Sequence, residues 1–512
     1  MLATVLSRLL SGLKGRILAD AAARLWGAVL SFALVPLYLR FIGVEAYGLV
    51  GLFVSIQTML ALLDFGLGAS LTRELARTSG ADGDWARARD LTRTLEVVYW
   101  GLAAVAALGF FLLAPVIADR WLNPEKLTAD EVRSSLRVGA AAIAVQWAGT
   151  LYVGGLLGLQ KQQTLALIGI ISATVRAGAT VAVLWAISPT VQAMFWVQAA
   201  VGLVNTLVLV WLLWASIPGP RTRPVFRAGL FSDIWKFATG LSGIAVTSLI
   251  LMQADKIILS RLLPLGQFGY YVLASTLAGG IYVLVAPIFG AIFPRLTELV
   301  ATKSEAEVST FYHLSGQIVS AAILPVAAIL AMFPSDALML WTGNALIAEQ
   351  AKWIVVLLVI GNAINGLMNP PFALQLAHGW TSFAFYASVV STVLLVPLLL
   401  VLTLSWGAVG AAATWALLNV GGLLISPYIL HRYLLRTELV RWYTRDILLP
   451  ILVSFSAAVA CRLVTHEAAT RTDAAMQIVP AFLVVALLTS LCSAPIRVWL
   501  TANLLGRGAR RA

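Results

Sequence analysis

The chain has 512 residues, of which 60% are hydrophobic and only 11% are charged, with a mean hydropathy of +0.91. Soluble domains carry about 25% charged residues, so this composition excludes a water-soluble fold. The formal net charge of +12 indicates basic residues at a membrane surface and not nucleic-acid binding. We expect an all-α integral membrane protein, because helices satisfy all backbone hydrogen bonds inside lipid and the alternating pattern of a membrane barrel is absent.

Apolar stretches long enough to cross about 30 Å of hydrocarbon recur along the chain and predict about 14 transmembrane helices. Placing the N-terminus in the cytoplasm puts about 23 of the 35 Lys and Arg on that side. Both termini are therefore predicted to be cytoplasmic. The predicted spans are about 17–39, 47–72, 94–118, 136–159, 164–187, 190–214, 236–259, 269–294, 314–333, 352–374, 382–404, 407–430, 447–465 and 476–493.

The segments 37–77 and 260–299 are degenerate copies separated by about 221 residues. Such a period predicts two pseudo-symmetric six-helix lobes, a common transporter plan. We expect an N-terminal lobe at 1–218, a C-terminal lobe at 219–435, and two extra helices with a cytoplasmic tail at 436–512. The aligned pairs are Arg40 with Arg261, Tyr47 with Phe268, Gly48 with Gly269 and, with a one-residue shift, Arg73 with Arg295.

Ionisable residues inside spans are functional candidates, because each costs about 2.5 to 3.5 kcal/mol at the centre of a membrane helix. Arg176 lies about 18 Å into the fifth span and is expected to contact ligand or line a cavity. The alternative is a structural ion pair with Asp64 in the second span. Arg24 lies about 10 Å inside the first span, where it lines a cavity or snorkels.

Asp255 and Lys256 are adjacent in the seventh span, and we expect Asp255 to face the cavity or pair with Arg40 or Arg261. For the duplicated arginines of the two segments, anchoring at lipid headgroups is as good an explanation as a role in transport. Three asparagines on the tenth span form a polar stripe, which helix packing explains nearly as well as a cavity. Asn369 is the third residue of this stripe. The candidate residues are Arg24, Arg40, Asp64, Arg73, Arg176, Asp255, Lys256, Arg261, Arg295, Asn362 and Asn365.

These residues resemble the multidrug/oligosaccharidyl-lipid/polysaccharide exporter superfamily, and within it the bacterial polysaccharide-unit flippases. The similar stretches are 43–49 (GVEAYGL), 63–68 (LDFGLG) with Thr72 and Arg73, 255–259 (DKIIL) and 291–296 (AIFPRL). Drug exporters of this fold commonly carry an acidic residue deep in span one. Here the only acid in span one is Asp20 at its inner edge, while Arg24 lies deeper. This departure favours an anionic substrate.

The resemblance implies flipping of undecaprenyl-diphosphate-linked oligosaccharide repeat units across the bacterial cytoplasmic membrane through a cationic, alternating-access cavity between lobes. It also implies contact with membrane lipids and a polymerase and glycosyltransferases as pathway partners. We expect no cofactor, although H+ or Na+ coupling is possible in this superfamily. The alternatives are a cation-coupled multidrug exporter and a lipid II flippase. A membrane enzyme is disfavoured, because no loop is large enough for a catalytic domain.

Overall fold

A computed structural model describes residues 2–62, 66–80, 83–218, 223–230, 252–302, 305–493 and 497. Within these ranges the chain is helical, and its one extended pairing is the isolated bridge between Asn123 and Pro264. Residues 252–262 are also helical. The labelled helices are α1 Leu2–Leu62, α2 Leu67–Gly80, α3 Trp85–Val116 with a π-helical end Ile117–Trp121, α4 Ala129–Gly158, α5 Gln162–Ala186, α6 Val191–Ser216, α7 Leu265–Gly279, α8 Ile281–Thr302, α9 Glu305–Met332, α10 Pro334–Thr342, α11 Ala345–Leu367, α12 Asn369–Ala377, α13 Thr381–Tyr433, α14 Leu439–Leu463 and α15 Arg471–Cys492.

Eleven helices in the described residues are long and apolar enough to cross a membrane. Two of them, Ala19–Leu60 and Thr381–Tyr433, have 42 and 53 residues, twice the roughly 20 that one crossing needs. Each contains a glycine with left-handed φ, Gly43 at 78° and Gly407 at 59°. The break predicted between the first two spans, 17–39 and 47–72, is therefore confirmed at Gly43. The all-helical membrane fold is confirmed as well. The total of 14 spans and the orientation of the termini remain predictions, and most of the predicted seventh span lies outside the described ranges.

Two predicted spans are interrupted in the structure. The expected helix over 47–72 is described as far as Leu62 and is broken at Gly66, whose φ is 76°; α2 begins at the next residue. Glycine tolerates this left-handed backbone without steric cost. The expected helix over 352–374 divides at Met368, between α11 and α12. Pro370 and Pro371 lack backbone N–H groups and cannot continue a helical ladder, so they occupy the first turn of α12.

Short polar side chains begin several of these helices. Thr128 accepts a hydrogen bond from the backbone N–H of Glu131, and the Glu131 carboxylate accepts one from the backbone N–H of Thr128. This reciprocal capping box satisfies two of the amides that a helix start leaves without partners. Thr190 and Thr470 cap α6 and α15 through one bond each, in which the hydroxyl accepts from the backbone N–H of Ala193 or Asp473.

The chain forms two compact units, Met1–Gly269 and Tyr270–Ala512. The lobe boundaries expected from the repeat, 1–218, 219–435 and 436–512, are a separate division that these units do not test. In the first unit, α2 packs against α4 at two glycines of a GxxxG pattern. A Cβ at Gly154 would lie 2.8 Å from the carbonyl oxygen of Gly68, and one at Gly158 would lie 2.5 Å from that of Thr72. Only glycine permits this approach.

In the second unit, the last two helices pack on α9 and α10. Phe333, Ala458 and Val485 are all buried in one apolar cluster, and they belong to the α9–α10 junction, α14 and α15. Large apolar side chains elsewhere point outward, including Val105, Trp185 and Leu463, which are 69%, 78% and 81% exposed. Exposed apolar surface on helices of this length is the surface that lipid covers.

Candidate functional site

Arg176 lies midway along α5 and is half-buried. Its Nη1 donates a hydrogen bond to Oε1 of Gln146 on α4, at 3.0 Å. The same Oε1 accepts a hydrogen bond from Nε2 of Gln57 on α1, also at 3.0 Å. Three helices thus meet at one amide oxygen, and the two donors of this Arg176–Gln146–Gln57 cluster are a guanidinium and a neutral amide.

The partners of Arg176 in the described part of the chain are neutral. No carboxylate there lies within 4 Å of its guanidinium, and its buried Nε has no hydrogen-bond partner. Asp64, the counter-ion that the sequence suggested, lies outside the described residues. Nearby, the hydroxyl of Thr180 donates a hydrogen bond to the carbonyl oxygen of Arg176, one turn earlier on α5, at 2.7 Å. The described neighbours of Arg176 are therefore polar and uncharged.

A glycine on α6 positions Gln146. A Cβ at Gly202 would lie 2.8 Å from Cγ of Gln146, so α6 leaves room for that side chain only as glycine. Gln146 also donates a hydrogen bond through Nε2 to the carbonyl oxygen of Ala142, at 3.2 Å. Its Oε1 therefore points toward Arg176 and Gln57. The packing of α6 against Gln146 thus fixes the position of its Oε1 without a ligand.

Arg24 has a different environment from Arg176. Its Nε lies 2.8 Å from Oδ2 of Asp20, one helical turn earlier, and its side chain is 80% exposed. Trp26 on α1 donates a hydrogen bond to Thr174 on α5, at 2.9 Å. This contact brings α1 against α5 two residues away from each arginine. The structure therefore places Arg24 and Arg176 on adjoining helices, with Arg24 in an exposed ion pair.

The duplicated arginines Arg40, Arg73, Arg261 and Arg295 are exposed. Arg295 pairs with Glu298 at 2.8 Å, and the carbonyl oxygen of Arg261 accepts a hydrogen bond from Asn123. Exposed positions of this kind suit headgroup anchoring as well as ligand contact, so their role stays a prediction.

Asp255 and Lys256 are half-buried in the helical residues 252–262. The Lys256 ammonium lies 3.4 Å from both carboxylate oxygens of Asp255. The neighbouring side chains thus contact each other, and the expected role of Asp255 in a cavity or in a pair with Arg40 or Arg261 stays a prediction.

The asparagine stripe in the second unit is tied into a side-chain network. Asn362 accepts hydrogen bonds from Tyr282 and Trp415, and Asn365 accepts one from Tyr282 and donates one to Asn419. These bonds join α8, α11 and α13. Beyond Asn365 lies a cavity of about 360 Å³, bordered by α11, α12 and α13. Its lining includes Asn365, Asn369, Phe372, Gln375, Phe383 and Ser426.

Two buried acids, Glu45 and Glu96, make contacts that were not predicted from the sequence. Glu45 accepts backbone hydrogen bonds from residues 125, 126 and 127, at 2.7 to 3.2 Å. Glu96, which is 6% exposed, accepts from Tyr152, Trp214 and Arg93. Both lie in predicted spans or at their ends, and a glutamate inside an apolar stretch is the signal that could have found them.

This architecture is that of a multi-pass helical membrane protein. The structure is similar to that of the lipid II flippase MurJ in an inward closed conformation, with a TM-score of 0.69 and 13% identity, covering 96% of this chain and 99% of that one. It is also similar to an inward-facing multidrug resistance MATE family transporter of the MOP superfamily, with a TM-score of 0.61 and 14% identity, covering 82% and 96%. At these identities the likeness shows the fold alone.

Residues 17–300 match the polysaccharide biosynthesis protein family, and the chain belongs to it. A curated relative is the succinoglycan biosynthesis transport protein ExoT of Rhizobium meliloti (strain 1021), which is 25% identical over 301 residues. That alignment spans 58% of this chain and 56% of the relative. The expected relation to polysaccharide export proteins is thus confirmed at the level of the family, as is a multi-pass membrane protein of the kind found in the bacterial inner membrane.

Proposed function

We propose that this protein flips undecaprenyl-diphosphate-linked oligosaccharide repeat units across the bacterial cytoplasmic membrane during polysaccharide export. The observation that carries the proposal is Arg176, a guanidinium in the middle of α5 whose hydrogen-bond partner is the neutral amide of Gln146. Membership of the polysaccharide biosynthesis family supports the substrate class. The fold shared with a lipid II flippase supports a lipid-linked cargo.

Arginine suits this cargo because its planar guanidinium offers five N–H donors and stays charged at all physiological pH values. Gln146 engages one of those donors. The remaining donors can form paired hydrogen bonds with the oxygens of a diphosphate, and charge-assisted bonds of this kind are about twice as strong as neutral ones. Arg176 thereby supplies the attraction that the head group needs at membrane depth.

The neutral character of the cluster matters for turnover. A carboxylate beside Arg176 would compete with phosphate and would have to be displaced each time substrate binds. The amide oxygen of Gln146 accepts a hydrogen bond from the guanidinium and carries no charge to displace. We therefore propose that Gln146 and Gln57 hold the guanidinium in position while leaving its charge available to the substrate.

The wider mechanism follows the superfamily plan. Alternating access carries the head group and sugars past Arg176 while the lipid tail stays in the bilayer. H+ or Na+ supplies coupling, and the polymerase and glycosyltransferases of the same pathway are the functional partners. The chain acts as a transporter and not as an enzyme, as its relatives' names indicate for those proteins.

Variants at Arg176 test this proposal in a strain that depends on the protein for its polysaccharide. Arg176→Gln is expected to abolish exported polymer and to accumulate lipid-linked repeat units, because the phosphate contact is lost while the side-chain size is nearly kept. Arg77→Gln is the matched control, since Arg77 is exposed and paired with Glu74. Membrane levels of both variants are measured by immunoblot. Normal polymer from Arg176→Gln at normal protein level overturns the proposal.

The second candidate is a lipid II flippase. The similarity to MurJ favours it, because it extends over 96% of this chain, whereas that to the MATE family transporter covers 82%. If lipid II is the cargo, depletion of the protein stops peptidoglycan synthesis and growth. If the exported repeat unit is the cargo, depletion removes polysaccharide while growth continues.

A further inference from the structure

A second cluster of ionisable groups lies in the C-terminal unit and contains none of the candidate residues that the sequence singled out. His313 is on α9, eight residues after its start, and is 3% exposed. Each of its ring nitrogens faces a carboxylate: Nδ1 contacts Oδ2 of Asp446, and Nε2 lies 2.9 Å from Oε2 of Glu438. Asp446 is fully buried, while Glu438 is 20% exposed.

The second oxygen of each carboxylate also has a partner. Oδ1 of Asp446 accepts a hydrogen bond from the amide of Gln317, at 3.0 Å. Oε1 of Glu438 accepts one from the hydroxyl of Ser309, at 3.0 Å. Gln317 and Ser309 lie on α9 four residues on either side of His313. One face of α9 therefore holds both carboxylates through three side chains.

Counting protons shows what this geometry requires. Each of the two nitrogen–carboxylate contacts needs one hydrogen, because two lone pairs facing each other repel. Two protons on one imidazole make it an imidazolium, which leaves the group of His313, Asp446 and Glu438 with a net charge of minus one. Removing one of these protons places a nitrogen lone pair opposite a carboxylate in a buried site.

The state of Glu438 supports a proton on the imidazole. Burial acts to raise the pKa of the Glu438 carboxyl, but hydrogen bonds from His313 and Ser309 and the positive charges of His313 and Arg441 outweigh it and hold that pKa below its ordinary value. Glu438 is therefore ionised at neutral pH. An ionised acceptor 2.9 Å from Nε2 calls for an N–H on that nitrogen.

Other titratable groups face this cluster from α9, α13 and α14. His431 on α13 uses Nδ1 toward the carbonyl oxygen of Pro427, at 2.7 Å, and its Nε2 has no hydrogen-bond partner among the described residues. His431 is also 1% exposed and packs edge-on against Tyr312. The titratable and charged neighbours are Tyr312, His431, Glu438, Arg441, Tyr443 and Asp446.

We propose that His313, Asp446 and Glu438 form a proton-binding site that couples export to proton movement. The cluster binds one releasable proton on the imidazole. Release breaks the bond to one carboxylate and loosens the attachment of 438–446 to α9, while uptake restores it. The coupling half of this inference rests on the proposed function, whereas proton binding by the cluster does not.

The contact joins the start of α14 to α9, so proton release acts on the helices that follow the repeat. Ser320 on α9 also donates to the backbone carbonyl of Asp446, at 2.6 Å, and this bond does not depend on the proton. The loss of one ion pair therefore loosens the junction without separating the helices. A reversible change of this size suits a transport cycle.

The first test is the pH dependence of thermal unfolding of the purified full-length protein, over about pH 5 to 9. In wild type, the unfolding midpoint is expected to fall as pH rises, because the imidazolium loses its proton. His313→Gln and Asp446→Asn are expected to lose this pH dependence. His466→Gln is the matched control: His466 lies 3.3 Å from Asp473 and is 76% exposed, so its pair is screened by water and its removal leaves the profile unchanged.

The second test is the pH profile of polysaccharide export by cells that carry the same variants at equal protein level. His313→Gln and Asp446→Asn are expected to lose the dependence of export on medium pH. If both variants keep the wild-type pH dependence of unfolding and of export, the proposed proton site is overturned. An equal loss of stability at every pH also overturns it, since that result describes a structural clamp. Arg176→Gln, measured in parallel, separates the two proposals: it tests the cargo and leaves the unfolding profile of the His313 cluster intact.

Discussion

The close approach of Gly269 to α1 gives a prediction with a defined magnitude. A Cβ at position 269 would lie 2.2 Å from the carbonyl oxygen of Val44 and 2.9 Å from its Cγ1. Ordinary contact begins at 3.4 Å, so the backbone would have to move by roughly 1 Å. The obstructing oxygen belongs to the backbone, so no side-chain rotation relieves it.

Gly269→Ala is therefore expected to destabilise the protein. Overpacking of this kind costs about 1 to 3 kcal/mol, of which alanine's better helix propensity returns up to about 1 kcal/mol. With the full propensity gain subtracted, the expected net effect is a loss of up to about 2 kcal/mol, measured as a lower unfolding midpoint in detergent. Gly48→Ala is expected to act in the same direction and less strongly, because its Cβ would lie 2.9 Å from the carbonyl oxygen of Leu265.

Gly101→Ala on α3 is the matched control. Nothing lies within 4 Å of a Cβ at this position, so only the helix-propensity gain operates and the midpoint is expected to stay or rise. A Gly269→Ala protein as stable as Gly101→Ala would refute the close approach of the two repeat copies at their shared glycine.

Two further variants test the described contacts. Asn123→Cys and Pro264→Cys, made together in a chain whose Cys461 and Cys492 are replaced by alanine, are expected to form a disulfide under mild oxidation. Bridged residues lie about 5 Å apart, and a disulfide needs Cα atoms within about 4.4 to 6.8 Å. The absence of a mobility shift on a non-reducing gel would contradict the bridge. Gly202→Ala is expected to displace Gln146 from Arg176 and to reduce polysaccharide export at normal protein level. Gly178→Ala on α5, where a Cβ meets nothing within 4 Å, is the control and is expected to leave export unchanged. Equal export by the two variants would show that Gln146 has no role in the site.

Most of the fold could be predicted from the composition and from the positions of the glycines. An apolar chain of this length has helices as its only way of satisfying backbone polar groups in lipid, apart from a closed barrel. The turn between the first two predicted spans has its break at Gly43, and the boundary between the eleventh and twelfth has its break at Gly407. The interruption near Gly66 was missed, because an isolated glycine inside a long apolar run looks the same whether it stays helical or not.

The site was only partly predictable. The cost of burying a guanidinium marked Arg176 from the sequence, but its bond to Gln146 depends on how α4, α5 and α6 pack, and no local pattern encodes that. His313 illustrates the same limit. It contacts Glu438 and Asp446, which lie more than 120 residues later in the sequence. No residue three or four positions from His313 on α9 is acidic, so the local sequence does not indicate an ion pair.

The most direct test of the central claim is flipping by the purified protein in liposomes. Undecaprenyl-diphosphate-linked oligosaccharide with a labelled sugar is placed in both leaflets, and its exposure to an external glycosidase is followed in time. Wild-type protein is expected to make the protected inner pool accessible, whereas Arg176→Gln leaves it protected and Arg77→Gln behaves as wild type. Equal rates for wild type and Arg176→Gln would contradict a phosphate-binding role for this arginine.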